Sequence, residues 1–189
     1  MTGRSAGVCV LMALGVLLAP APARAQMSMG AFRGQATGHI GTALGNGEAG
    51  DALSVGASVA VLESSGWGAE FDFGYANSGD DPGDGLDAQS YMLNVIGVWP
   101  TGRLRPFGLA GVGAIRARTC VARCASTETW TDLGFTGGGG LQYRFNDIFG
   151  VNADARYFTA LADYPDATRA GLSYWRIAVG ATFLWAIAP

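Results

Sequence analysis

The sequence contains no lysine and few charged residues of any kind. Charged side chains make up 14% of the 189 residues, whereas about a quarter is usual for a water-soluble domain. All 12 strongly basic residues are arginine, and 15 acidic residues outnumber them. A nucleic-acid partner would require a basic surface. We therefore expect no nucleic-acid partner, and we expect something other than water to cover much of the surface.

The sequence also lacks a long apolar segment beyond its N-terminal region. The longest charge-free apolar stretch there, Ile177 to Pro189, is far shorter than the roughly 20 residues of a membrane-spanning helix. This length excludes a helical membrane protein. Because every backbone N–H and C=O in hydrocarbon must be paired within the protein, a closed barrel is the remaining way to cross a membrane.

The N-terminal region has the features of a cleaved signal peptide. Arg4 gives the positive start, Val8 to Ala19 form the apolar core, and Ala23 to Ala25 form an A-x-A cleavage site. We predict a signal peptide over residues 1–25 and a single domain over residues 26–189. Without the signal peptide the net charge is −5, since Arg4 and one further arginine are removed.

The remaining chain alternates apolar and polar residues with a period of two. From Tyr174 to Trp185 the odd positions are apolar, whereas the even ones include Arg176 and Thr182. Alternate side chains of a strand face opposite ways, so this strand separates two environments. Seven more segments show the same pattern, at 35–44, 53–61, 66–75, 89–99, 105–118, 131–145 and 148–158.

The faces and connections of these segments predict an all-β fold, an eight-stranded antiparallel transmembrane β-barrel of the outer-membrane type. Short and long connections alternate, as in bacterial barrels with short periplasmic turns. In the segment 105–118, Phe107, Leu109 and Ile115 are expected to face lipid, opposite Arg116. A soluble lipocalin-like barrel would have an apolar interior and a charged exterior. The polar face here carries too little charge for a solvated surface.

Charged residues on the polar face are expected to lie in the lumen. They are Glu70, Asp72, Asp154, Arg116, Arg144, Arg156 and Arg176. Guanidinium groups can pair bidentately with carboxylates, so the charges can form a salt-bridged plug. A gated ion path along the same charges is the alternative. The interior of an eight-stranded barrel is just wide enough for side chains to fill it, which favours the plug.

Several segments resemble the outer-membrane protein β-barrel family, the small porin-like and opacity-like barrels of OmpA or OmpX type. They are Leu104 to Gly113, Gly137 to Tyr143, Gly150 to Phe158 and Trp175 to Phe183. The resemblance implies a Gram-negative cell-envelope protein in the outer membrane, without catalytic residues, cofactor or metal. It implies outer-membrane lipid, lipopolysaccharide and the barrel-insertion machinery as partners. Family members usually end on an aromatic residue, whereas Ala186 to Pro189 follow Trp185 here.

The remaining candidate sites are cysteines, a histidine and an acidic loop. Cys120 and Cys124 are predicted to form a disulfide in an outer loop, because export passes through an oxidising periplasm. His39, the only histidine, is expected to be a polar lumen residue. The acidic loop of Asp80, Asp81, Asp84 and Asp87 lacks the spacing of a calcium site and is expected to be solvated. The predicted function is a non-enzymatic surface or structural barrel. A low-conductance pore and an enzyme that modifies lipid A are the alternatives.

Overall fold

The protein is a closed sheet of eight antiparallel strands. The computed structural model describes residues 32–45, 52–77, 85–99, 102–121, 126–161 and 172–187. The strands are β1 (Phe32–Gly45), β2 (Ala52–Leu62), β3 (Trp67–Asn77), β4 (Gly85–Val98), β5 (Leu104–Val121), β6 (Ser126–Arg144), β7 (Phe149–Ala160) and β8 (Ser173–Ile187). In these ranges no helix is long and apolar enough to span a membrane. The predicted signal peptide lies outside them and stays a prediction.

The sheet closes because its first strand pairs with its last. β1 pairs with β2 on one side and with β8 on the other, from Phe32 opposite Ile187 to Gly45 opposite Tyr174. Each of the other strands pairs with its sequence neighbours. A closed sheet has no edge with unpaired backbone groups, which is the condition for crossing hydrocarbon. The predicted eight-stranded antiparallel barrel is confirmed.

Short turns connect β2 to β3, β4 to β5 and β6 to β7 at one end of the barrel. In the first, the Glu63 N–H donates to the Trp67 carbonyl at 2.8 Å, and Gly66 adopts a φ of 91°, a conformation that side chains disfavour. In the third, the Asn146 side chain accepts hydrogen bonds from the backbone N–H groups of Ile148 and Phe149. We call this end of the barrel the turn side and the other end the loop side.

Three neighbouring strands extend at least three residues further on the loop side than the sequence pattern predicts. β4 is expected to begin at residue 89 but begins at Gly85. β5 and β6 are expected to end at residue 118 and to begin at residue 131, but they remain paired as far as Val121 opposite Ser126. The additional part of β6 contains threonines, whose branched side chains favour strands. It does not alternate between apolar and polar residues, so the period of two gives no sign of it.

Side chains of seven strands face the directions that the sequence predicts. In β8, Val179 and Phe183 are 59% and 51% exposed on the outside, whereas Arg176 and Thr182 are buried in the lumen. The outer surface is consequently covered by large apolar side chains, among them Ile40, Leu53, Phe71, Leu93, Val95, Leu133, Phe135, Leu141 and Ile177. Such a surface fits a lipid environment.

The predicted faces of β5 are wrong. Phe107, Leu109 and Ile115 are buried in the lumen, and Arg116 is exposed on the outside. A period of two separates the residues of a strand into two sets, but it does not decide which set faces the lumen. Here the larger apolar side chains of β5 face the lumen, where they join two apolar clusters.

Candidate functional site in the barrel lumen

A bidentate ion pair lies in the middle of the lumen. Arg176 Nη1 donates to Asp72 Oδ1, and Nη2 donates to Oδ2, each at 3.0 Å. The two side chains are at most 1% exposed. Two parallel charge-assisted hydrogen bonds are the strong arrangement for these groups. A Cβ atom at Gly74 would lie 2.7 Å from Arg176 Nη1, so the glycine leaves space for the guanidinium.

A second arginine joins this pair to two more carboxylates. Arg156 Nη1 lies 2.7 Å from Glu70 Oε1 and 3.3 Å from Asp72 Oδ2. Its Nε donates to Asp154 Oδ1 at 2.9 Å. Since Asp72 also binds Arg176, all five side chains form one network, which we call the charged layer.

Amide side chains complete the charged layer. Asn94 donates to Glu70 Oε1 at 3.0 Å, and Asn152 donates to Asp154 Oδ2 at 3.2 Å. Three carboxylates and two guanidiniums give the layer a formal charge of −1. Desolvating a single ion costs several kcal/mol, so buried charges persist only with close partners and additional hydrogen bonds. The layer therefore depends on all its members being present.

Apolar side chains fill the lumen on the loop side of the charged layer. Phe158 and Tyr174 stack with ring centroids 4.8 Å apart, and the Arg176 guanidinium carbon lies 5.1 Å from the centroid of the Phe158 ring. The loop-side apolar layer consists of Ala43, Ala52, Ala76, Ala88, Met92, Ile115, Phe158 and Tyr174. It separates the charged layer from the loop end of the barrel.

A second apolar cluster occupies part of the lumen on the turn side, beside the buried polar side chains of Gln35, Gln142 and Arg144. This turn-side apolar layer consists of Ala60, Leu62, Ile96, Val98, Phe107 and Leu109. The alternation of apolar and polar residues does not predict either apolar layer, because it indicates an inner face that is polar throughout. A signal exists in β4, where Met92, Ile96 and Val98 occupy the same face as the polar residue Asn94.

A small polar cavity lies beside the charged layer. Its volume is about 10 Å³, and Thr37, Glu70, Phe107, Gln142 and Asn152 are among the residues that line it. This volume is about that of one water molecule. Around it, Gln142 donates to Gln35 at 3.2 Å, and the Thr37 and Thr182 hydroxyls are hydrogen-bonded at 3.0 Å. Side chains thus occupy nearly all the space at this level.

Two of the predicted lumen arginines lie outside the charged layer. Arg144 is buried near the turn side, where its Nη2 lies 3.8 Å from Asp147 Oδ1. Arg116 is not a lumen residue, because it belongs to the outward-facing set of β5. Its position near the loop end of the strand explains the error: a charge at the edge of the membrane need not face the lumen.

The other candidate residues have separate positions. His39 is 6% exposed and faces the lumen as expected, and its Nε2 atom has no hydrogen-bond partner among the described residues. The backbone of Cys120 lies in β5 opposite Thr127. Cys124 is outside the described residues, as are Asp80, Asp81 and Asp84, so the disulfide and the solvated loop stay predictions. For Asp87 the expected loop position is wrong, because Asp87 lies in β4 and accepts hydrogen bonds from Asn77 and Tyr75.

Known outer-membrane barrels share this architecture. Neisserial surface protein A is 16% identical, with a TM-score of 0.64 and coverage of 80% of this chain and 96% of that one. The N-terminal barrel of Pseudomonas aeruginosa OprF is 18% identical, with a TM-score of 0.56 and coverage of 82% and 98%. Ail of Yersinia pestis is 16% identical, with a TM-score of 0.56 and coverage of 83% and 100%. At these identities the similarity establishes the fold.

The family assignment comes from the sequence itself. No curated protein matches the chain. The outer membrane protein beta-barrel domain family matches residues 9–183, which is most of its length. The chain therefore belongs to the outer-membrane protein β-barrel family, and it is a protein of the bacterial outer membrane.

Proposed function

We propose that the protein is a non-enzymatic outer-membrane protein whose plugged barrel anchors surface-exposed loops. The observation that carries this proposal is the position of the charged layer between two apolar layers. An ion crossing the lumen would have to leave water and enter apolar surroundings, which is costly without a partner. Side chains fill the lumen of a barrel of this size, which supports an anchor over a channel.

The proposed orientation places the turn side in the periplasm and the loop side outside the cell. Bacterial barrels have short periplasmic turns and longer outer loops. β5 and β6, of 18 and 19 residues, extend the barrel on the loop side. Two of the similar structures are called a surface protein and an attachment invasion locus protein, and a surface role for this chain is in line with those names.

The proposed partners follow from the outer surface. Its apolar side chains, such as Val95 and Leu133, each 61% exposed, are suited to contact outer-membrane lipid and lipopolysaccharide. During biogenesis the barrel-insertion machinery would receive the C-terminal strand β8, in which Trp185 is followed by Ala186 and Ile187.

A low-conductance pore is the second candidate. The polar cavity of about 10 Å³ favours it, and so does the Asn152 Oδ1 atom in the cavity wall, which has no hydrogen-bond partner in the described part of the chain. A pore would require this cavity to extend through both apolar layers. Ion flux from proteoliposomes tests the two functions: the anchor predicts flux equal to that of empty vesicles, and ion-selective flux would contradict it.

An enzyme that modifies lipid A is the third candidate, and His39 is the residue it would use. His39 faces the lumen and not the lipid, and no described serine or aspartate accepts a hydrogen bond from it. The general base of a hydrolytic site needs a nucleophile within hydrogen-bond reach. The mass spectrum of lipid A in cells with and without the protein tests this function. We expect identical spectra, and a missing modification in the deletion strain would overturn the non-enzymatic proposal.

A further inference from the structure

The outer face of β5 changes from apolar to basic towards the loop side. Its outward positions from Leu104 to Ala114 carry no charge, and the next two outward positions are Arg116 and Arg118. Both arginine side chains are exposed. They lie on the outside of the barrel, where a lumen function is impossible.

The position of these arginines along the strand matches the edge of the membrane. The ten steps from Leu104 to Ala114 rise about 26 Å along the membrane normal, at about 3.4 Å per residue and a tilt of about 40°. The apolar band of an outer-membrane barrel is about 25 Å tall. Arg116 therefore lies at the level where hydrocarbon ends and headgroups begin, and Arg118 lies within the headgroup region.

Neighbouring strands surround the two arginines with hydrogen-bonding side chains. Gln89 and Thr131 flank Arg116 in register, and Asp87 and Thr129 flank Arg118. Tyr91 donates its hydroxyl hydrogen to Gln89 Oε1 at 3.2 Å, which leaves the Gln89 amide N–H groups as donors. We call Gln89, Arg116, Arg118, Thr129 and Thr131 the rim patch.

Asp87, the carboxylate that flanks the rim patch among the described residues, has other partners. Asp87 Oδ1 accepts hydrogen bonds from Asn77 Nδ2 at 2.6 Å and from the Tyr75 hydroxyl at 3.2 Å. Among the described residues no carboxylate forms an ion pair with Arg116 or Arg118. Within the described part of the chain, the two guanidiniums at the membrane edge are thus available for an anion from outside the protein.

We propose that the rim patch binds a phosphate group of lipopolysaccharide in the outer leaflet. Guanidinium matches phosphate bidentately, and charge-assisted bonds of this type are the strong ones. Alternate residues of a strand lie about 7 Å apart, so both arginines can reach one phosphorylated headgroup. Its acyl chains would lie along the apolar outer face below, near Val112 and Leu133. The proposal rests on the orientation under Proposed function, with the loop side outside the cell.

Binding of diphosphoryl lipid A to the folded full-length protein in detergent tests the proposal. We expect the double variant Arg116→Gln and Arg118→Gln to raise the half-saturating concentration about ten-fold or more, since it removes two charge-assisted contacts. The matched control is Arg103→Gln, an exposed arginine at the turn side, which should leave binding unchanged. Heat-dependent gel mobility establishes that each variant is folded.

Three further measurements separate the possible sources of binding. Lipid A without phosphates should bind the parent protein about ten-fold more weakly, because the acyl chains alone remain. Inorganic phosphate at the concentration of the lipid should not displace it. The double variant Arg116→Lys and Arg118→Lys retains the charge and should bind lipid A more tightly than the glutamine pair. If the glutamine pair does not fold, binding by the lysine pair is compared with binding by the parent protein instead.

Equal binding by the parent and the folded glutamine pair would overturn the rim patch, as would an equal loss in Arg103→Gln. Displacement by inorganic phosphate would overturn lipopolysaccharide as the ligand and show that the patch binds free phosphate. None of these results would contradict the proposal that the barrel is plugged, because the ion-flux experiment tests that proposal separately. Protease accessibility of the loops on intact cells tests the orientation. Loops protected on intact cells and cleaved after lysis would contradict both the orientation and this site.

Discussion

Arg176 and Asp72 face each other across the lumen from strands β8 and β3, and two parallel hydrogen bonds of 3.0 Å connect them. The residues are 104 positions apart in the chain. Closure of the barrel through β1 and β8 brings them together. Arg156 links this pair to Glu70 and Asp154, so the barrel is cross-linked in its interior by charges that are at most 5% exposed.

Removing one charge from this layer should destabilise the barrel strongly. Asp72→Asn leaves Arg176 without its bidentate carboxylate and weakens the ion pairing of Arg156. Removing one partner of a buried ion pair lowers the free energy of unfolding by about 3–5 kcal/mol. Urea unfolding in lipid vesicles measures the free energy of unfolding of the parent and of each variant. The control is Asp147→Asn, which affects a pair 3.8 Å apart whose carboxylate is fully exposed and should leave the free energy of unfolding nearly unchanged. Similar values for both variants would show that the buried network contributes little.

The lipid-facing surface can be tested with a charge at two depths. Val179 lies near the middle of β8 and is 59% exposed, so Val179→Arg should cost about 2–4 kcal/mol in a bilayer. Leu53, 61% exposed at the loop end of β2, provides the control. Leu53→Arg should cost at most about 1 kcal/mol, because the charge reaches the interface. Unfolding in vesicles gives both values, and equal costs would contradict the assigned membrane depth.

The reversed faces of β5 give a further test, because a lumen residue and a lipid-facing residue respond differently to truncation. Ile115 is 1% exposed and Leu133 is 61% exposed. Ile115→Ala leaves a cavity in the loop-side apolar layer and should cost about 2–5 kcal/mol. Leu133→Ala should cost under about 1 kcal/mol, since lipid chains can fill the space. A larger cost for Leu133→Ala would mean that Ile115 faces lipid after all.

The predicted disulfide between Cys120 and Cys124 can be tested by counting thiols. We expect no alkylation of the unfolded, unreduced mature protein and two added groups after reduction, measured by mass spectrometry. The ring between the cysteines is small, so the stabilisation should be modest. Alkylation of both cysteines without reductant would show that they are free thiols.

The sequence predicts the barrel well because the membrane imposes a strict rule on it. Each strand must present apolar side chains to lipid at every second position, and β8 follows that rule from Trp175 to Phe183. The pattern is local, so a single sequence suffices to find it. The number of strands, their antiparallel order and most of their faces follow from it.

The interior is less predictable because it depends on register around the whole barrel. The composition of the inner face indicates that Glu70, Asp72 and Arg156 are lumen charges, but only the pairing of strands determines which of them meet. The apolar layers cannot be predicted from the sequence pattern for another reason. Phe107 and Leu109 satisfy the pattern of a lipid-facing strand equally well, and only the lumen volume that they fill identifies their face.

Conductance in a planar lipid bilayer tests the plugged lumen most directly. With the charged layer enclosed by the two apolar layers, the inserted full-length protein should show no current steps above the baseline of the bilayer. Heat-dependent gel mobility of the same sample establishes that the barrel is folded. Steady, ion-selective current steps from the folded protein would contradict the plug and support the pore.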